Sequence, residues 1–369
     1  MISNKWLELY QYIQQHIESL PQESEVVELL NDRFMFLSAQ FVTNETAKNK
    51  SQHDWLEHEA FTLVMSDVLQ DLPLMKSQLT FLFETLMAAQ LCQLAMVSIN
   101  AYKMLLSEDD FKCKCGLVYQ QLGDYDMAKS SLEESLALNA ENPMTLCHLG
   151  FNFLFQGHTE EAIQCFEQST DIAPDFVGGY QNLAGVHYQN GDFELAAKNA
   201  ELAYSKDTSL VSTYITAVSS YLALGEKDKA DQWINNAFEN NVSSMELVRL
   251  AGIAAHQNGR LEEALEALNH YLEHNPESFD VLNIRAHVKA ELKLYVELEA
   301  DINQLRVFEP NDEWSLEQLF LCYFHTERWN EAQAVMVQLN RLAPRYKITY
   351  RDELNTIKKK LSIDVLELS

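Results

Sequence analysis

The sequence is short of basic residues, glycine and proline. Its 369 residues contain 27 Lys and Arg against 55 Asp and Glu, which gives a formal net charge of −28. Nucleic acids and anionic membranes both attract basic surfaces, so neither is an expected partner. Only 11 Gly and 7 Pro are present, whereas β-sandwiches and α/β barrels normally use more of both in their turns. The composition therefore favours an all-α protein.

Long apolar runs and disulfide-type cysteine spacing are lacking as well. The most apolar stretch, residues 79–106, carries Glu84 and Lys103 together with several amides, and charged groups are costly inside a bilayer. The initial MISNKWLELYQYIQQ has neither a basic nor an apolar region of the kind that a secretory leader needs. Six Cys are too few for a disulfide framework, so we expect reduced, mostly buried thiols. These features predict a cytoplasmic protein.

A 34-residue period runs through much of the chain. Gly recurs five times at this spacing, an Ala follows each of these Gly residues five positions later, and Pro recurs at multiples of the same period. The positions are Gly123, Gly157, Gly191, Gly225 and Gly259, then Ala128, Ala162, Ala196, Ala230 and Ala264, and finally Pro174, Pro276, Pro310 and Pro344. Three residue types held in one register indicate a repeated structural unit.

The period resembles that of the tetratricopeptide repeat (TPR) family, whose unit is a 34-residue pair of helices, A and B. The stretch that begins at Pro143 matches the family pattern nearly throughout, at Leu146, Leu149, Gly150, Phe153, Ala162, Phe166 and Pro174. The resemblance implies an all-α fold, a right-handed α-solenoid of helix–turn–helix repeats with a helical N-terminal extension and a C-terminal capping helix. We also expect a bacterial source.

The register divides the chain into four predicted regions. They are a non-repeat helical region at residues 1–74, a degenerate TPR-like hairpin at 75–108, seven TPR repeats at 109–346, and a capping helix with a tail at 347–369. The repeats begin at Asp109, Pro143, Val177, Val211, Met245, Phe279 and Glu313. An end helix is expected because a solenoid otherwise exposes its last apolar face.

The recurring small residues have predicted mechanical roles. Gly after helix A supplies a left-handed cap, and Pro ends helix B because it cannot donate the next helical hydrogen bond. Gly150 in helix A and the periodic Ala in helix B allow the paired helices to approach closely. The sixth and seventh repeats carry Lys293 and Glu327 where the earlier repeats have the capping Gly, so their turn geometry is less securely predicted.

Motifs for catalysis or metal binding are weak in this sequence. Cys113 and Cys115 are too closely spaced for a common zinc knuckle, and the acidic, His-containing run at residues 53–59 lacks the i, i+4 pair of His of a metalloprotease helix. Gly-rich phosphate-binding motifs and a GxSxG elbow do not occur. We therefore predict a non-enzyme without catalytic residues, cofactor or metal.

The resemblance to TPR proteins also implies a binding surface, because helix A lines the concave face in that family. The positions that would line it are Met144, Cys147, Phe151, Leu154, Phe155, Gln181, Tyr188, Ile215, Leu222 and Arg249. This groove is apolar in the first four repeats and polar beyond them. An alternative is that the N-terminal helices of the chain fold back and fill the groove.

Charge is unevenly distributed along the repeats. The 68 residues between Lys129 and Lys198 contain ten acids and no Lys or Arg. An apolar groove with acidic surroundings favours a partner protein or peptide with apolar anchors and basic residues, although solubility alone would also explain the acids.

We interpret the chain as a non-catalytic scaffold or adaptor that holds a partner helix or peptide in the groove. Two alternatives stay open, a bacterial, type III-like secretion chaperone for a hydrophobic substrate and a regulatory or dimerising structural subunit. The sequence does not decide between them and leaves the oligomeric state open.

Overall fold

The computed structural model describes residues 76–88 and 92–361, and every regular element in these ranges is a helix. The predicted non-repeat region at 1–74, including the run at 53–59, lies outside the described residues. The chain divides into two compact units, the first ending at Leu183 and the second beginning at Ala184.

The first compact unit contains two helices that precede the periodic region and the first two helix pairs of that region. Its helices are α1 (Lys76–Ala88), α2 (Cys92–Ala101), α3 (Glu108–Gln121), α4 (Tyr125–Leu138), α5 (Pro143–Phe155) and α6 (Thr159–Ile172). A short 3-10 helix, Lys103–Leu105, follows α2. Helix α7 (Val177–Asn190) contains the boundary between the two compact units.

The second compact unit continues the alternation of A and B helices. Its helices are α8 (Phe193–Lys206), α9 (Val211–Ala223), α10 (Lys227–Glu239), α11 (Met245–Gln257), α12 (Leu261–His274), α13 (Phe279–Glu291), α14 (Tyr295–Phe308), α15 (Glu313–His325), α16 (Trp329–Leu342), α17 (Tyr346–Thr349) and α18 (Arg351–Leu361). From α4 to α16, each B helix begins 34 residues after the previous one. The predicted all-α fold of helix–turn–helix pairs is therefore confirmed.

Small residues on helix A bring it close to its partner helix B. A Cβ added at Gly116 would lie 2.6 Å from Cγ of Leu132, and one added at Gly150 would lie 2.4 Å from Cε1 of Phe166. Leu132 and Phe166 are both fully buried, so neither side chain has free space to move into. The interior is close-packed at these crossings, and a larger residue on helix A would push the pair apart.

The turns after helix A share one backbone conformation. The five periodic Gly residues have φ between 72° and 83°, and Lys293 and Glu327 adopt the same left-handed region with φ of 57° and 60°. The hydrogen bonds match too, because Glu226 N–H donates to Tyr221 O at 2.9 Å and Leu294 N–H donates to Lys289 O at 2.9 Å. The helix pair thus imposes the turn on Lys293 even though a side chain disfavours it.

The end of the periodic region differs from the single helix predicted from Lys347 onward. The segment is broken at Tyr350 into α17 and α18. The Tyr350 hydroxyl donates to Glu317 Oε1 at 2.6 Å, which ties the break to α15. Ile357 of α18 is fully buried in the same core cluster as Met336 of α16, so α18 covers apolar side chains of the last helix pair.

Substituting Gly150 with Ala should lower the free energy of unfolding by about 1–3 kcal/mol, because the new methyl overlaps the buried Phe166 ring. Gly185 is the matched control, since a Cβ added there meets no heavy atom within 4 Å. Gly185→Ala should instead stabilise its helix by about 0.5–1 kcal/mol. Chemical denaturation followed by far-UV circular dichroism measures both, and equal effects of the two substitutions would contradict the close-approach argument.

Substituting Lys293 with Gly should stabilise the protein by about 1 kcal/mol, because it relieves the left-handed penalty of a residue that has a Cβ. The reverse change, Gly225→Lys, should destabilise the equivalent turn by a similar amount, although a Cβ there would meet nothing within 4 Å. Thermal and denaturant unfolding of both variants measures the two changes in the free energy of unfolding, which should have opposite signs. If Lys293→Gly does not stabilise the protein and Gly225→Lys does not destabilise it, the left-handed backbone conformation carries no measurable free-energy cost in these turns.

Candidate partner-binding surface

Helix α5 begins at a well-defined N-terminus. The Asn142 side chain accepts hydrogen bonds from the backbone N–H groups of Met144 at 3.1 Å and Thr145 at 3.2 Å, and Pro143 occupies the first helical position. Both features are typical of helix starts. On the helix that begins here, Leu146 and Leu149 face the core and Met144 faces outward.

Three large apolar side chains are exposed on α5. The exposed fractions are 54% for Met144, 37% for Phe151 and 61% for Phe155. Spacings of seven and four residues place them on one face of the helix. Leu154 lies beside them and is half-buried. We call these four residues the α5 surface.

The aromatic rings of the α5 surface are held by neighbouring rings. Phe155 stacks on Tyr125 with ring centroids 5.9 Å apart, and Phe151 meets the buried Phe166 edge-on at 5.4 Å. These contacts restrict the rings before any partner arrives, which lowers the entropy cost of binding. Sequence reasoning missed Tyr125, which comes from helix B of the preceding repeat, and the only signal for it was an aromatic residue at the start of α4.

Cys147 was predicted to line the groove, and the structure shows this to be wrong. Only 4% of its surface is exposed, and its Sγ lies 3.4 Å from Oγ of Ser169 on α6. The Cys147 side chain on α5 therefore faces α6 rather than solvent. Burial also raises the pKa of the Cys147 thiol.

The remaining predicted residues do not form one exposed row. Gln181, in the first unit, is half-buried. In the second unit, Tyr188 is exposed beside Phe193, with ring centroids 5.5 Å apart. Ile215 and Leu222 are half-buried against the core cluster of that unit, so much of their apolar area is already covered.

Arg249 is engaged within its own surroundings. Its Nε donates to Glu246 Oε2 at 2.9 Å and a terminal nitrogen donates to Oε1 at 2.6 Å, while another terminal nitrogen lies 3.5 Å from Asp280. The hydrogen bonds from Arg249 to Glu246 raise the pKa of the guanidinium. Two carboxylates around one cation leave a net negative charge, so this position does not favour an anionic partner.

The lysines nearest to the α5 surface in the sequence are also paired with acids. Lys129 Nζ lies 3.8 Å from Glu133, Lys114 lies 3.6 Å from Asp110, and Lys112 contacts Glu134. The stretch from residue 130 to the end of the first unit contains no Lys or Arg. This stretch, which includes α5, therefore carries Asp and Glu and no Lys or Arg, so its charge is negative.

Cysteine pairing, metal-ligand clusters and membrane-spanning helices also bear on function in residues 76–88 and 92–361. All six Cys of the chain lie in this part, and none of them forms a disulfide there. No group of three or more His, Cys, Asp or Glu side chains in these ranges could hold a metal ion. Within the same ranges, no helix has the length and apolar character that crossing a bilayer requires.

Comparison with known proteins identifies the repeat. Two family models described as tetratricopeptide repeat match residues 113–175 and 215–279. These two stretches of the chain therefore contain tetratricopeptide repeats, and the resemblance that the 34-residue period indicates is confirmed there. This family is a protein-interaction fold, and no catalytic family is indicated.

Individual relatives are distant. Human tetratricopeptide repeat protein 13 is 29% identical over 72 residues, which are 20% of this chain and 8% of that protein. The solved chain of Pseudomonas aeruginosa pilF is 17% identical with a TM-score of 0.49, covering 61% of this chain and 99% of its own. YrrB, described as a TPR protein with an unusual peptide-binding site, is 15% identical with a TM-score of 0.46, covering 52% of this chain and 98% of its own.

The thiols should react slowly with iodoacetamide at pH 8 in the folded protein. Burial raises the pKa of Cys115 and Cys165 to about 11 and that of Cys322 to about 12. Only the thiolate is nucleophilic, so a raised pKa lowers its fraction at this pH. Mass spectrometry should find six alkylated Cys after denaturation and little labelling before it. Rapid labelling of Cys147 in the native protein would contradict its burial and support its predicted place in the groove.

Proposed function

We propose that this chain is a non-catalytic scaffold that binds a protein or peptide through the α5 surface. The observation that carries the proposal is the exposure of Met144, Phe151 and Phe155 on one face of α5. Exposed apolar side chains that converge on one face commonly mark interaction sites. Methionine and aromatic residues also make adaptable contacts with varied apolar side chains.

The proposed partner segment carries apolar anchors flanked by Lys or Arg. The apolar anchors would pack on Phe151 and Phe155, whose rings already rest on Phe166 and Tyr125. The basic flanks would meet carboxylates of a stretch that has no Lys or Arg of its own. Charge complementarity of this kind sets specificity and association rate more than affinity. The same charge argues against nucleic acid and anionic membranes as partners.

The chaperone and dimerising-subunit alternatives differ from the scaffold in stoichiometry. A chaperone would form a stable one-to-one complex with one hydrophobic substrate, whereas a dimerising subunit would change mass with its own concentration. Light scattering of the purified chain, alone and with partner, separates these two. A bacterial source and a cytoplasmic location stay predictions.

Phe155→Glu should remove peptide binding while the protein stays folded. Random peptides displayed on phage are selected on the wild-type chain, and the enriched peptides should combine aromatic or aliphatic anchors with Lys or Arg. An apolar anchor that packs at position 155 would bury the new carboxylate and remove its hydration, which is costly. The enriched peptides should therefore no longer bind. Increasing salt should weaken wild-type binding, because the basic flanks would be screened.

Phe238→Glu is the matched control for this experiment. Phe238 lies on α10 in the second unit and is 62% exposed, against 61% for Phe155. The control variant should retain the enriched peptides, and far-UV circular dichroism should be the same for both variants. Equal loss of binding in the two variants, retention of binding in Phe155→Glu, or enrichment of acidic peptides would each contradict the proposal.

A further inference from the structure

Helix α12 carries a pair of histidines. His270 and His274 are both exposed and lie four residues apart, one turn of helix, so their side chains share a face. Their ring centroids are 5.0 Å apart with the ring planes inclined at 65°. The α5 surface lies in the first unit and α12 lies in the second, so the two features share no residue.

A hydrogen bond determines which nitrogen of the neutral His274 ring carries the proton. His274 Nδ1 lies 3.0 Å from the backbone carbonyl oxygen of His270. A carbonyl oxygen only accepts, so Nδ1 carries the proton and donates it. In the neutral ring the lone pair is then on Nε2. Metal-binding histidines are typically oriented in this way, with the non-ligating nitrogen donating to a carbonyl or carboxylate.

The separation of the rings suits a shared metal ion. An imidazole nitrogen binds a first-row ion at about 2.0–2.1 Å, which places the ion about 3 Å from the ring centre and two neighbouring ring centres about 4.5–5.3 Å apart. The observed 5.0 Å falls in this range. Because both side chains are exposed, small rotations about their own bonds can direct both nitrogens to one point.

The helix that carries the pair is acidic. Helix α12 contains Glu262, Glu263, Glu266 and Glu273 and has no Lys or Arg. A cation approaching the two rings therefore meets an attractive local field and no basic side chain of the same helix.

We propose that His270 and His274 form a binding site for a late first-row divalent cation, with Cu²⁺ bound more tightly than Ni²⁺ or Zn²⁺. Imidazole ligands suit these ions, and affinity generally rises through the series to Cu²⁺. Hard cations such as Mg²⁺ prefer oxygen ligands and are not expected to bind. No third His, Cys, Asp or Glu converges on the pair in the described part of the chain, so water would complete the coordination.

Titration of the full-length, EDTA-treated protein with CuCl₂ tests the site by calorimetry and electron paramagnetic resonance. Wild-type protein should bind Cu²⁺ with nitrogen hyperfine structure in the spectrum. His270→Ala and His274→Ala should each lose one equivalent of Cu²⁺ relative to wild type. MgCl₂ should give no binding signal at the same concentrations.

Two control variants separate this site from general binding by histidine. The swap H274N/N275H keeps the composition but changes the spacing from four to five residues, which turns the rings apart, so it should lose the same equivalent. His256→Ala removes a histidine whose Nε2 lies 2.9 Å from Glu291 Oε1. This variant should bind the same number of Cu²⁺ equivalents as wild type. No Cu²⁺ binding by wild type, or equal binding by wild type and the double variant H270A/H274A, would overturn the proposal. Peptide selection in the presence of chelator tests the α5 surface separately.

Discussion

The close approach of paired helices is the constraint on which the repeated structure depends. Gly116 and Gly150 let helix A approach within a distance that leaves no room for a single added carbon, and the periodic Ala of helix B is fully buried at the same crossings. Since a packed interior tolerates little change in volume, the small residues fix how each A helix is rotated against its B helix. That rotation decides which side chains of α5 reach solvent. The exposure of Met144, Phe151 and Phe155 is therefore a consequence of packing on the opposite face.

A second constraint concerns charge. Several of the few arginines are hydrogen-bonded to acids of the protein itself. Arg285 donates to Asp301 at 2.9 and 2.8 Å, Arg328 donates to Glu299 at 2.8 Å, and Arg249 is held by Glu246. Each of these arginines links side chains of the protein itself, through charge-assisted hydrogen bonds. The excess of acids is thereby left on the surface. Among the described residues, Asp301 is the one acid that is buried, so the acidic excess of this part of the chain lies at its surface.

The periodic parts of the fold could be predicted from the sequence, and the exceptions have identifiable causes. The 34-residue spacing of Gly, Ala and Pro predicted the helix pairs, because Gly permits the turn after helix A, Ala permits close contact between the helices and Pro ends helix B. Lys293 adopts the glycine conformation because the backbone hydrogen bonds of the turn are the same as at Gly225. The break at Tyr350 could not be predicted, since it depends on a hydrogen bond to Glu317, a residue distant in sequence. For the binding surface, the family position of Cys147 suggested exposure, whereas its contact with Ser169 decided burial.

The sequence by itself determined the all-α class, the 34-residue spacing of the helices and the acidic character of the chain. These properties depend on composition and on residues close together along the chain, for which local rules are sufficient. Only the tertiary structure decided that Phe155 stacks on Tyr125 and that Cys147 is buried with its Sγ close to Oγ of Ser169. Such properties depend on helix rotation and side-chain orientation, which are set by packing against other helices. The sequence pattern alone does not carry that information.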